Sequence, residues 1–205
     1  MKFEDDPSAV LQVPRLTPGA QRIVEVASRL FYRHGIHAVG VDTIAAESGI
    51  TKRTLYDRFG SKDQLVAVYL QARHRRWWQR MERRLAQEQE TPVLALFDSY
   101  AEDSETSDRG CAFINAAAEL PANHPAYRVV RAHKQAVLNR LVELLDTGSA
   151  VDDEDTVAVA QEIYLLLEGA IAHRGIDGDD RLMQRAREAT ARLIRDRSLS
   201  AMGGG

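Results

Sequence analysis

Cysteine occurs once in 205 residues, at Cys111. A lone thiol excludes an intrachain disulfide, and also a zinc site built from several thiolates of one chain. No apolar run approaches the roughly 20 residues that span a bilayer. The opening MKFEDDPSAVLQVPRL lacks the uninterrupted apolar core of a secretory signal. Together these absences predict a cytoplasmic protein with no membrane partner. Stretches that alternate apolar and polar residues are nearly missing, so strands are not expected. Signatures of catalysis are missing too: there is no G-x-S-x-G, no phosphate-cradling glycine loop and no C-x-x-C. The six histidines, at 34, 37, 74, 124, 133 and 173, show no metal-ligand spacing. An enzyme, a cofactor and a metal centre are therefore not expected.

What remains is helical. Hydrophobic residues make up 44% and charged residues 28%, as in ordinary globular domains, and apolar positions recur at helical spacing. Residues 1–16 carry three acids and two prolines and read as a flexible arm. Thr17-Pro18 gives an N-cap followed by proline at the first helical position, and Gly35 closes that helix. Ile23, Ala27, Leu30 and Phe31 form its apolar stripe. A short helix follows over about 41–48, with Ile44 and Ala45 inward and Gly49 in the left-handed position after it. Thr51 caps a third helix that ends at Gly60. Ser61-x-x-Gln64 is a capping box that opens a long fourth helix. Breaks near 90–92, 107–110, 121–125, 147–153 and 175–180 separate about five more. The tail 198–205 is expected to be disordered.

Charge is distributed unevenly. The net charge is −3, but residues 15–80 hold 12 Lys and Arg against 5 Asp and Glu, and residues 81–205 hold 14 against 22. A basic segment next to an acidic one suggests that the first meets an anion. Within it, two short helices joined by a glycine turn form the helix-turn-helix pattern. The second of these opens with Thr51, Lys52, Arg53 and Thr54, the short polar and basic side chains that a major groove admits. Leu55 and Phe59, four apart, share the inward face, which turns Tyr56 outward toward a phosphate. Thr43 and Lys62 begin the flanking helices, whose unpaired N–H groups suit phosphates. About four phosphates neutralised per protomer would give a dimer a salt slope near −7.

The run VDTIAAESGITKRTLYDRFGSKDQL closely resembles the N-terminal domain of the tetracycline-repressor (TetR) family of bacterial regulators. The matching residues are Ile44-Ala45, Gly49-Ile50-Thr51, Thr54-Leu55-Tyr56, Phe59 and Lys62-Asp63 with Leu65. The resemblance implies an all-α homodimer. It would have a helix-turn-helix domain over 17–62 and a ligand-binding and dimerising helical domain over 63–197. Carried over by position, Thr43, Thr51, Lys52, Arg53, Thr54, Tyr56 and Lys62 would touch double-stranded operator DNA, with Lys52 and Arg53 on base edges. Gly40 departs from the Ser or Thr common before the second helix and offers no hydroxyl. The implied function is a repressor released by a small-molecule effector. The alternatives are an activator, or a helical dimer serving a protein partner without ligand response.

The acidic part supplies candidates for the other two roles. The segment 156–172 carries one stripe of Val159, Ile163, Leu166 and Ala170 and another of Ala160, Tyr164, Leu167 and Ile171. A helix apolar on two faces is buried on both. The last helix shows Leu182, Ala186, Ala189 and Leu193. The expectation is a four-helix dimer interface formed by Ile163, Leu166, Ala170, Leu182, Ala186, Ala189 and Leu193. Trp77, Trp78, Phe97, Tyr100, Phe113, Asn115, Tyr164 and Glu168 are the candidates for a mostly apolar effector pocket with a few polar groups. Cys111, near Arg109, reads either as a small packing residue or as a redox sensor.

Overall fold

The computed structural model of the chain describes residues 7–87, 91–105, 109–146 and 153–203. Among them are ten helices and no strand. These are α1 (Pro7–Leu11), α2 (Pro18–His34), α3 (Val41–Ser48), α4 (Lys52–Phe59), α5 (Lys62–Leu85), α6 (Pro92–Glu105), α7 (Ala112–Glu119), α8 (Pro125–Leu145), α9 (Asp153–Asp177) and α10 (Arg181–Gly203). No helix among the described residues is long and apolar enough to cross a membrane. The chain forms two compact units, residues 1–78 with 112–134, and residues 79–111 with 135–205.

In the first unit α2, α3 and α4 pack on one another. The expected local signals operate there. The Thr17 side chain accepts from Ala20 N, and Gly35 ends α2 by donating its N–H to the Phe31 carbonyl. Gly49 sits at φ 68°, in the left-handed region that L side chains enter only with strain, and this lets the chain turn into α4. Ile23, Ala27, Phe31, Ile44, Leu55 and Phe59 make the core of the three helices.

The first unit extends further along the chain than 17–62. It takes in the start of α5, all of α7 and the start of α8. Three long-range contacts explain why. His37 donates its backbone N–H to a Glu119 carboxylate oxygen at 3.0 Å, and its ring Nε2 lies 2.6 Å from the Glu119 carbonyl. His124 pairs with Asp63 at 3.3 Å. His74 and His133 face each other at 2.9 Å between their Nδ1 atoms. The arm also differs from the expectation of a loose segment. It contains α1, and Gln71 donates to the Val10 carbonyl at 2.8 Å. Residues 1–6 of that arm lie outside the described residues. At the other end the expected disordered tail is in part helical, since α10 extends to Gly203.

In the second unit α9 packs on α10 and α6. Gly110 and Gly175 let two backbone segments touch. A Cβ at Gly110 would lie 2.8 Å from the Ile171 carbonyl, and one at Gly175 2.9 Å from the Arg109 carbonyl. Ion pairs tie the helices: Arg187 to Asp98 at 3.1 Å, Arg140 to Glu82 at 2.9 Å and Arg174 to Asp180 at 3.0 Å. Arg197 donates to the Thr156 hydroxyl.

The inward face of α9 is a seam that neither expected stripe describes. Ala160, Ile163, Leu167, Ala170 and Ile171 are buried within one protomer, so it draws from both. Ile163 and Ala170, and Ala186 on α10, therefore serve the protomer's own core. Leu166, Ala189 and Leu193 are half-buried. Among the described residues of these two helices, the large apolar side chains left in the open are Leu165 (70% exposed) and Ile176 (75%), with Val157 and Leu182.

The His74–His133 pair generates a pH prediction. Burial lowers the His74 pKa to about 4. Burial first, and then the charges of Lys134, His74 and Arg73, push His133 well below the usual histidine value. Unfolding then takes up protons, so stability is full above about pH 6.5 and falls as pH drops through that value toward 4. Melting temperature measured from pH 7.5 to 4.5 should drop steeply below 6.5. The drop should flatten in a His74→Phe/His133→Phe double variant.

Candidate nucleic-acid interface

The recognition surface is built from α4 outward. Thr51 caps the helix by accepting from Thr54 N at 3.2 Å, and the two threonine hydroxyls bond each other at 2.9 Å. Leu55 and Phe59 are buried. Removing the Leu55 side chain would cost about 2–5 kcal/mol, so the rotation of α4 about its axis is firmly set. With that face inward, Arg53 turns furthest from the core and Tyr56 lies to its flank, while Lys52, three residues before Leu55, is exposed in the first turn beside α3. The Arg53 side chain is 92% exposed, and Tyr56 is 41% exposed despite its large ring. Thr43 and Thr51 are exposed as well, and Thr54 is half-buried.

Other cations of the basic segment hold the unit together. Arg22 donates Nε to the Ser48 carbonyl at the C-terminus of α3 at 2.7 Å, where a positive charge also suits the helix dipole. Arg29 pairs with Glu47 at 3.2 Å. Lys62, expected on a phosphate, has a partner within the unit. Its Nζ donates to the Ile36 carbonyl at 2.7 Å and lies 5.9 Å from the centre of the Phe31 ring. Desolvation lowers its pKa, against the opposing pull of Asp63 and Glu119. The ammonium is used inside the unit because the 35–40 loop brings a backbone carbonyl within its reach. The Ser61–Gln64 capping box is half-formed: Ser61 Oγ accepts from Gln64 N at 3.1 Å, while Ser61 N donates to the Phe59 carbonyl.

Sequence reasoning did not find Asp42. Its carboxylate on α3 meets the Lys52 ammonium on α4, 2.9 Å from Oδ1 and 3.1 Å from Oδ2. That pairing raises the Lys52 pKa, through the hydrogen bond first and the charge second. Ten residues separate the two, and only the crossing of α3 with α4 brings them together.

The eight effector candidates divide between the units. In the first, Trp77 lies 6.1 Å from Trp78 and 5.4 Å from His133, and Phe113 stacks on His133 at 3.7 Å, all between ring centroids. Asn115 is half-buried on α7. In the second, Phe97 is buried, and Tyr100 donates its hydroxyl to Glu168 at 3.3 Å. Burial raises the Tyr100 pKa well above its usual value, helped by Glu168, Cys111 and Tyr164. A cavity of about 310 Å³ in the first unit is lined by other residues, among them Val10, Gln64, Gln71, Arg128 and Val129. Cys111 is free and half-buried. Among the described residues, no group of three His, Cys, Asp or Glu could hold a metal ion.

Two family models match the chain. That of bacterial regulatory proteins of the tetR family matches residues 23–69, and that of the tetracyclin repressor-like C-terminal domain matches residues 91–190. A solved TetR-family transcriptional regulator from Streptomyces coelicolor is 31% identical with a TM-score of 0.77, over 87% of this chain and 95% of that one. A TetR transcriptional regulator from Chloroflexus aurantiacus has a TM-score of 0.73 at 23% identity, over 92% and 96% of the two chains. One from Haloarcula marismortui has a TM-score of 0.75 at 18% identity, over 88% and 98%. At these lower identities the last two show the fold alone.

The placement of Lys62 predicts the behaviour of Lys62→Met. Stability should fall by about 1 kcal/mol in urea denaturation as the Ile36 carbonyl loses its donor. The salt slope of DNA binding should stay within about 0.5 of the wild-type value. A slope shallower by about 2 for a dimer would return Lys62 to the phosphate backbone.

Proposed function

The chain belongs to the TetR family of bacterial transcriptional regulators, and from that premise we propose that it represses transcription as an operator-bound homodimer released by a small-molecule effector. One observation carries the DNA-binding part. The first turn of α4 presents exposed Lys52 and Arg53, followed by exposed Tyr56, while Leu55 and Phe59 anchor the helix from within. Arginine and lysine bond guanine edges in the major groove, and a tyrosine hydroxyl suits a phosphate. With Lys62 used inside the unit, about three phosphates per protomer remain, which gives a dimer a salt slope near −5.

Dimerisation follows from the geometry of DNA, since half-sites one helical turn apart need two recognition helices at matching spacing. The exposed apolar residues of α9 and α10 support an isologous interface on Leu165, Ile176 and Leu182, with the half-buried Leu166, Ala189 and Leu193 beside them. An effector is expected to engage Trp77, Trp78, Phe113 and Asn115 of the first unit, or Phe97, Tyr100, Tyr164 and Glu168 of the second. It releases DNA only as far as it prefers the DNA-free state. A ligand with equal affinity for free and operator-bound protein would remove the inducer part of this reading.

Selection of bound duplexes from a random pool should yield a palindrome. Arg53→Ala should weaken binding to it by about 1–3 kcal/mol and relax the preference at one base pair per half-site, with the helical circular dichroism unchanged. Failure to enrich any sequence would reject the DNA-reading function. Leu165→Glu should shift the protein from dimer to monomer in sedimentation and abolish tight operator binding. A dimer that survives this change would place the interface elsewhere.

A further inference from the structure

The DNA-facing surface contains a carboxylate that phosphate contact alone does not explain. Asp42 is 81% exposed, so solvent screens its pair with Lys52 and the pair adds little to stability. The pair therefore does little to hold α3 against α4, which pack on one another and bury Ile44 and Leu55. Its consequence is electrostatic. Both carboxylate oxygens lie within 3.1 Å of the ammonium, as two oxygens of a bound phosphate would. Asp42 also stands in the first turn of α3, whose Gly40 N-cap supplies no side-chain hydrogen bond. An anion is favoured at such a helix end, so the carboxylate occupies the two features of this surface that would otherwise draw a phosphate. Arg53 is held differently, with its nearest acid, Asp57, at 3.9 Å.

We propose that Asp42 is a specificity-determining residue that acts as the internal counter-ion of Lys52 and suppresses binding to DNA of the wrong sequence. This inference rests on the DNA-reading function above. On non-cognate DNA, Lys52 can gain only a phosphate. The Lys52–Asp42 pair carries no net charge, so a phosphate on a remaining N–H is not neutralised and is repelled by the carboxylate. On a cognate site, an acceptor such as guanine O6 or N7 can take a remaining N–H of the ammonium, which has three donors, while the pair stays intact. The pair therefore penalises phosphate-only contact more than base contact, which widens the ratio between specific and non-specific affinity.

The test is Asp42→Asn, which keeps a polar residue suited to a helix start and removes the charge. Affinity for a random-sequence duplex should rise at least about fivefold at 0.15 M salt. The slope of log K against log[salt] should steepen by about 2 for the dimer, one newly available cation per protomer. Operator affinity should change less, so the specificity ratio falls. In a Lys52→Met background the same Asp42→Asn change should no longer steepen the slope. An unchanged slope and ratio would overturn the proposal. So would an equal effect in the Lys52→Met background, which would reduce Asp42 to bulk charge. A loss of operator affinity alone would overturn it too, since the carboxylate would then assist specific binding. Wild-type protein that binds no duplex at all would instead reject the DNA-reading function itself.

Discussion

The burial of Leu55 and Phe59 sets the direction of everything the first unit presents. Each apolar side chain contributes about 1.5–3 kcal/mol when removed from water, whereas the exposed ion pairs nearby are screened by solvent and contribute less. The apolar anchors therefore decide how α4 is rotated, and the charged residues accept the position they are given. Thr51 at the start of α4 and left-handed Gly49 just before it fix where the helix begins. Together they fix which residues form the first turn.

That hierarchy changes how the basic segment is understood. A count of its lysines and arginines suggests a broad phosphate-tracking surface. The structure distributes them more narrowly. Arg22 holds a helix-terminal carbonyl, Arg29 pairs with Glu47 and Lys62 holds the Ile36 carbonyl. Lys52 carries its own counter-ion, and Arg53 is the cation of the first turn most open to solvent. Charge that appears surplus in the composition is partly structural, because the ends of short helices leave carbonyls that need donors.

The second unit follows a different principle. Between residues 156 and 172 helix α9 carries only Glu162 and Glu168 as charged side chains, and its buried seam is chosen by the helices packed against it. Two polar pairs there are Tyr100 with Glu168 and Arg197 with Thr156. Low dielectric makes an unpaired group costly, so such pairs fix the register of neighbouring helices. Gly110 and Gly175 add a close backbone approach that no other residue type permits.

Most of the fold and part of the site were legible in the residues alone. Thr17, Gly35, Gly49, Thr51, Leu55, Phe59 and Gly60 act within one helical turn, and chain geometry fixes such interactions whatever lies beyond. The exposed first turn of α4 follows from the same spacing. Tertiary structure decided the rest. It brought Asp42 to Lys52, turned Lys62 toward Ile36, joined α7 and the start of α8 to the first unit through Glu119 and His133, and divided the eight effector candidates between two units. It also chose which face of α9 to bury. These outcomes depend on crossing angles between elements far apart in the chain, where several pairings are close in energy and only the packed whole selects one.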